Sequence, residues 1–223
     1  MKLIGRTESA HSVRARVHDE LRLRFLTGRI TPGTPLSTRK LALEMGVSAM
    51  PVRDALGRLA ADGAVDIRSK RRIVVPPMTE ARHADLLACR ELLEPAAARN
   101  AVSGLDHRAV QRLEVVDEAI GVALVNGDVE AYMRANYEFH FTIYRAQSHP
   151  TLVQLIETLW LQFGPYMRVV YDQYDGEHLA DRHAEAIRAI RRHRADDLAH
   201  AILHDIRDGM DLLRRQLQTG TSP

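Results

Sequence analysis

Asn136 and His140 stand four residues apart in a stretch patterned as helix, and side chains at i and i+4 share a helix face. His183 and Asp205 follow on two later helical stretches, 22 residues apart. That is too far to meet on one straight helix, but the break near residues 193–195 would fold the two stretches against each other. Four nitrogen and oxygen donors drawn from three helices suit a divalent metal with a position left open for water or a ligand. His204, adjacent to Asp205, is a rival fourth donor. A plainer reading stands beside this one. Nine of the eleven histidines lie after residue 77, and scattered histidines commonly serve as surface or capping groups; His107, His149, His178, His193 and His200 are read that way. Glu138 lies two residues from both Asn136 and His140, so it points off their shared face. A helical metal-dependent hydrolase using Glu138 as base is disfavoured on that ground, and the chain carries neither a Gly-rich phosphate loop nor a nucleophile elbow.

The other chemically loaded region is basic. Residues 1–76 hold fifteen Lys and Arg against seven Asp and Glu, a net of +8, whereas residues 77–223 hold sixteen against twenty-two, a net of −6. A basic block joined to an acidic one implies that only the first meets a polyanion. Pro76-Pro77, after the β-branched run Ile73-Val74-Val75, marks the expected boundary between a domain at 1–76 and a second at 77–223.

The elements that must position these groups follow from periodicity and caps. Val13, Val17, Leu21 and Phe25 predict a helix over about 9–27. Ser37 and Ser48 are placed to cap two short helices joined at Gly46-Val47, with Pro51 in the first turn of the second. Two short strands at 65–68 and 72–75 frame Ser69-Lys70-Arg71. Beyond the Pro pair, Thr79, Asp106 and Asp128 predict caps for helices ending near 100, 125 and 146. Further helices are predicted at 151–173, 178–192 and 195–217. Six long helices with short connections make a bundle. The expected fold is therefore mainly α: a winged helix-turn-helix with a small hairpin wing, then an all-α bundle. The aromatic residues of the second half are read as core or subunit contacts, and Cys89 as buried and inert. With a single cysteine, no run long enough to span a bilayer and no secretory-type leader, the expected location is the cytoplasm, with no membrane association.

In a helix-turn-helix, Leu41, Met45, Val47, Val52, Leu56 and Leu59 face inward. Ser48, Ala49, Met50 and Arg53 are left at the start of the second helix, where such domains meet base edges and phosphates. Residues 28–63 read Gly-x-Ile-x-Pro-Gly-x-x-Leu, then Leu-Ala-x-x-x-Gly-Val-Ser-x-x-Pro-Val-Arg-Asp-Ala-Leu-x-x-Leu, then Asp-Gly. This closely resembles the N-terminal domain of the GntR family of bacterial transcription regulators. The resemblance implies that Arg39 and Arg53 reach operator DNA, that Ser48 contacts phosphate, and that the wing tip at Ser69, Lys70 and Arg71 enters the minor groove. Three positions depart from the family pattern: Ala49 where arginine is usual, Met50 where threonine is common, and Asp54 where glutamate is usual. One arginine contact is thereby lost, and Met50 is placed to touch a thymine methyl.

Residues 80–215 look like the FCD domain of the FadR-like subgroup, on Arg90-Glu91-Leu92-Leu93-Glu94 with Ala96-Ala97-Ala98, Asn136-Tyr137-Glu138-Phe139-His140, and His183 with Ile187 and Ile190. The resemblance implies metal ligation by Asn136, His140 and His183, with Asp205 standing where the family has a third histidine. The metal expected is zinc, with nickel or manganese as alternatives, and the effector is a small carboxylate. Arg90 matches a family arginine that faces the pocket; its other reading is an ordinary pair with Glu94 one turn on. Together these features predict a homodimeric, ligand-responsive repressor on a double-stranded DNA operator. A nonspecific architectural DNA-binding protein is disfavoured by the large acidic second half.

Overall fold

Helix α1 (Ala10–Leu26) buries Val17, Leu21 and Phe25 at successive i, i+4 positions, the stripe its sequence spacing dictates. It belongs to a computed structural model that describes residues 10–33, 35–69, 72–172 and 182–218. The Thr27 hydroxyl donates to the Leu23 carbonyl at 2.7 Å as α1 ends. Helix α2 (Thr38–Glu44) starts where the Ser37 hydroxyl accepts from the Lys40 amide. Gly46, at φ +63°, makes the turn into α3 (Ala49–Ala61), a backbone region that disfavours any residue with a Cβ. Val52, Leu56 and Leu59 of α3 are fully buried against α1.

Strands β1 (Asp66–Ser69) and β2 (Arg72–Val74) pair antiparallel, Asp66 opposite Val74 and Ile67 opposite Ile73, with an irregularity between Ile67 and Ser69. Leu36 adds a bridge to Ile73, so the loop before α2 is tied to the hairpin. The sequence offers no signal for this, because a single rung has no periodicity.

Residues 75–79 form no regular element and lead into α4 (Glu80–Ala101), capped by the Thr79 hydroxyl on the Arg82 amide. Helices α5 (His107–Asn126) and α6 (Val129–Tyr144) carry the predicted Asp106 and Asp128 caps. The single helix expected over 151–173 is instead α7 (Pro150–Phe163), a tight turn at Gly164–Tyr166, and α8 (Met167–Asp172). Pro165 supplies the local reason, since it has no N–H to continue the ladder and its ring crowds the preceding turn. Helix α9 (Arg182–Arg191) and α10 (Ala195–Gln218) close the chain, hinged at His193 with φ +51°. Residues 173–181, with His178, lie outside the described residues.

Helix α10 lies along α4 and α9, while α5 packs on α6 and α9. The apolar core runs without a break from Val17 of α1 to Leu213 of α10. Cys89 is half-buried, not buried as expected. The inward stripe of α4 is Leu86, Arg90, Glu94, Ala97 and Ala98, and Cys89 sits to its side. Among the described residues no helix is long and apolar enough to cross a membrane.

Candidate functional site

The hinge at His193 folds α9 back on α10 and brings His183 to Asp205. Across from them α6 presents His140. Nε2 of His140 lies 3.2 Å from Oδ2 of Asp205, and Nε2 of His183 lies 3.8 Å from Oδ1 of the same carboxylate. A ligand atom from each of the three residues falls within 4.8 Å of the others. Asn136, one turn before His140 and buried, lines the same cavity. His204 is exposed, so the face of α10 turned to the histidines is that of Asp205.

The far nitrogens of both rings are engaged. Nδ1 of His183 lies 3.1 Å from Oδ1 of Asp117 on α5, and a carboxylate there accepts. Nδ1 of His140 lies 3.0 Å from the Tyr144 hydroxyl, which itself donates to Glu94 Oε2 at 2.7 Å. A phenol has one proton to give, so Tyr144 accepts from His140. Burial, with Glu94 alongside, pushes the Tyr144 hydroxyl well above its ordinary value, so it remains a donor. With a proton on Nδ1, each ring turns Nε2 toward Asp205, and a nitrogen facing a carboxylate calls for a cation: either a second ring proton, which donates to Asp205, or a metal. With the rings protonated, burial alone would raise the Asp205 carboxyl, but the His140 hydrogen bond and the charges of His140, His183 and Arg90 outweigh it and hold it at about 2. Its contribution to stability is therefore full above its ordinary value of 3.8 and is lost as pH falls through about 2.

Glu94 anchors this region. It is fully buried and accepts from Arg90 Nε at 2.5 Å, Tyr144 Oη at 2.7 Å and Trp160 Nε1 at 3.0 Å. The Arg90 guanidinium lies over the rings of Phe163 and Trp160, 4.5 and 5.3 Å from their centroids. Arg90 pairs with Glu94, as its spacing allows, and also lines the cavity. Asp117 and Tyr144 were not singled out from sequence, Glu94 only as a pair for Arg90 and Trp160 only as a core or subunit contact, because nothing local marks an acid or an aromatic that will meet a group from another helix. Glu138 is on the surface, paired with Arg112 at 2.8 Å, off the histidine face as its spacing requires.

In the basic half, Arg39, Ser48, Met50, Arg53 and Ser69 are all exposed, Met50 at 57%. The Ser48 side chain does not cap α3, which leaves the first-turn amides of that helix facing outward with its hydroxyl. Among the described residues Arg39 and Arg53 enter no ion pair, whereas Asp54 is held 3.4 Å from Arg14. Lys70 and Arg71 lie outside the described residues.

The two halves are closely fitted. Arg22 of α1 donates to Glu157 of α7 at 2.6 Å. Arg82 of α4 donates to both the Gly63 carbonyl and Gln162, each at 2.8 Å. The Tyr166 hydroxyl, pushed up to about 12 by burial, donates to the Pro76 carbonyl at 2.5 Å. Gly28, at φ +59°, sits over Met133 of α6, and a Cβ on Gly164 would stand 2.3 Å from the Phe25 carbonyl oxygen.

A helix-turn-helix with an exposed basic reading face, tied to a helical bundle around a polar cavity, defines a DNA-binding protein with a sensor half. Comparison with known proteins agrees. Residues 13–75 match the family of bacterial regulatory proteins called gntR, and residues 85–208 match the FCD domain. The transcriptional regulator McbR of Escherichia coli strain K12 is 26% identical over 209 residues, 92% of this chain and 94% of that one. The gluconate operon transcriptional repressor of Bacillus subtilis strain 168 is 30% identical over 193 residues, 82% of this chain and 77% of that one. The solved structure of Escherichia coli McbR/YncC superposes with a TM-score of 0.85 at 25% identity, covering 92% of this chain and 99% of that one. The chain belongs to the gntR family, with an FCD effector-binding domain. It is a transcription regulator, not an enzyme.

Proposed function

We propose that this regulator is a cytoplasmic homodimeric repressor whose helical half holds a divalent metal and reads a small carboxylate effector beside it. The observation that carries this reading is the pair of histidines whose Nδ1 atoms are both engaged, so that both Nε2 atoms converge on Asp205. His140, His183 and Asp205 would hold the metal, with the Asn136 amide oxygen as a fourth donor. Two imidazoles with oxygen donors suit zinc, with nickel or manganese as alternatives. When bound, the metal would offer a Lewis-acidic position to a carboxylate. The chain's own groups do the rest. Asp117 and Tyr144 hold the rings in register, and Arg90, already neutralised by Glu94, lends a donor edge to an incoming anion. The likeness to a repressor of a gluconate operon supports a small organic acid as effector and repression as the output.

Metal content by plasma mass spectrometry tests the site. Purified protein should carry near one metal per chain, and His140→Ala/His183→Ala near none. Metal uptake competes with protons for the two rings, so metal affinity should rise with pH. A wild-type protein that stays empty after reconstitution with zinc, nickel and manganese would refute the metal.

The dimer would bury the exposed face of α5 formed by Val115, Ala119 and Val122, and would set two α3 helices on a pseudo-palindromic operator. Light scattering that reports a monomer would overturn it. On DNA, Arg53→Ala should weaken operator binding by about 1–3 kcal/mol and relax discrimination at one base pair. Unchanged affinity and unchanged base preference in a gel-shift titration would remove Arg53 from the reading face.

A further inference from the structure

The cavity that holds the metal ligands has a volume of about 420 Å³, and three helices grade along it in the same way. On α5, Asp117 is followed one and two turns later by Ile120 and Leu124. On α10, Asp205 is followed by Gly209 and Leu212. On α6, His140 is preceded two turns earlier by the ring of Tyr132, tilted against Tyr171 at 5.1 Å between centroids. Seven residues of helix span about 10 Å. One end of the cavity is therefore polar, and the other, about 10 Å away, is walled by aliphatic and aromatic carbon, with Met167 and Val170 of α8 completing it. Arg182 and Asp208 also line it, Asp208 one turn past Asp205 on α10 toward Leu212, and this charge is taken up locally: the two are bonded at 2.9 Å and Arg182 also bonds Glu185. Gly209 lies where a side chain would enter the space: a Cβ there meets only Val170 at 3.9 Å.

We infer that the effector is a monocarboxylate with an apolar body, its head at the histidine end and its chain or ring in the aliphatic end, rather than a polyhydroxylated sugar acid. This rests on the carboxylate reading given above. A hydroxyl carried into the far end would lose water and meet carbon, which is penalised, whereas each methylene placed there is favoured.

Titration calorimetry on the full-length, metal-loaded protein decides it, using acetate, butyrate, hexanoate, octanoate and gluconate as probes, with metal content measured on the same samples. The expected result is a dissociation constant that falls about three- to fourfold per added CH₂ until the cavity is full, with gluconate no tighter than acetate. That factor corresponds to about 0.8 kcal/mol per methylene. Gly209→Leu, which places side chain in the aliphatic end and touches no metal ligand, should weaken octanoate at least tenfold and leave acetate unchanged. Acetate binding with no gain along the series, or gluconate tighter than hexanoate, would overturn the apolar-body inference while leaving the carboxylate reading intact. Failure of every carboxylate to bind metal-loaded protein would overturn both.

Discussion

Replacing Glu94 by alanine is expected to cost about 3–5 kcal/mol of folding stability, the range for removing one partner of a buried ion pair. Glu94 is fully buried and Arg90 nearly so. Without the carboxylate, the guanidinium is left in a low-dielectric core, and the Trp160 N–H and Tyr144 O–H lose their acceptor together. For a chain of this size each kcal/mol lowers the melting temperature by roughly 2–4 °C, so a drop on the order of 10 °C should appear in a thermal melt. A milder variant separates stability from function. Glu94→Gln keeps the volume but gives Tyr144 a weaker, neutral acceptor. Tyr144 then has less reason to donate away from His140, and the tautomer that bares Nε2 is less favoured. Metal affinity should fall by about 10–100-fold, the usual effect of disturbing a residue that orients a ligand. An unchanged affinity in Glu94→Gln would show that Tyr144 does not set the ring.

The second large effect is expected at Gly164. Its Cβ position is occupied by backbone, the Phe25 carbonyl oxygen at 2.3 Å with the Phe25 carbonyl carbon behind it at 3.1 Å. Backbone cannot swing aside as a side-chain tip can. Gly164→Val must therefore part α1 from the turn after α7, at a cost of about 2–4 kcal/mol by comparison with overpacked cores. Calorimetry should show the DNA-binding half melting separately from the bundle. Metal content should stay near wild type, because Gly164 touches none of the ligands. The response of DNA affinity to effector should be lost or much reduced, since α7, which carries Trp160 and Phe163 at the cavity, no longer bears on α1. A variant that melts in one step near the wild-type temperature would refute the account of this contact.

What could be read from the chain divides along the range of the interactions. Caps at Ser37, Thr79, Asp106 and Asp128 were legible, because each is a side chain bonding an amide three residues on. The exposed face of α3 was legible too, as the complement of the buried stripe formed by Val52, Leu56 and Leu59. His183 and Asp205 could be paired only by assuming that two helices fold back on each other, and Asp205 could be preferred over His204 only through the family pattern. The structure supplies the physical reason: at that turn of α10, residue 205 is the one turned inward. Asp117 and the convergence of Tyr144 and Trp160 on Glu94 were invisible, since their meaning lies in partners 50 or more residues away. The break at Gly164-Pro165 was written in the sequence but masked by an apolar run that continues through it. The close fit between Phe25 and Gly164, which makes a glycine obligatory there, exists only in three dimensions.

Helix α6 shows two faces to two different clients. Tyr132, Asn136 and His140 look into the cavity, while Met133, next to Tyr132, lies under Gly28 at the end of α1. The sulfur and terminal methyl of Met133 fill the space over Gly28, so α6 touches both the cavity and the end of α1, and close-packed surfaces pass displacement on. A tilt of α6 from the cavity side would then bear on the DNA-binding half. In the proposed dimer, that would change the separation of two reading helices set to match one turn of DNA, about 34 Å. The spacing of an operator would then be, in effect, a ruler against which a full cavity is told from an empty one.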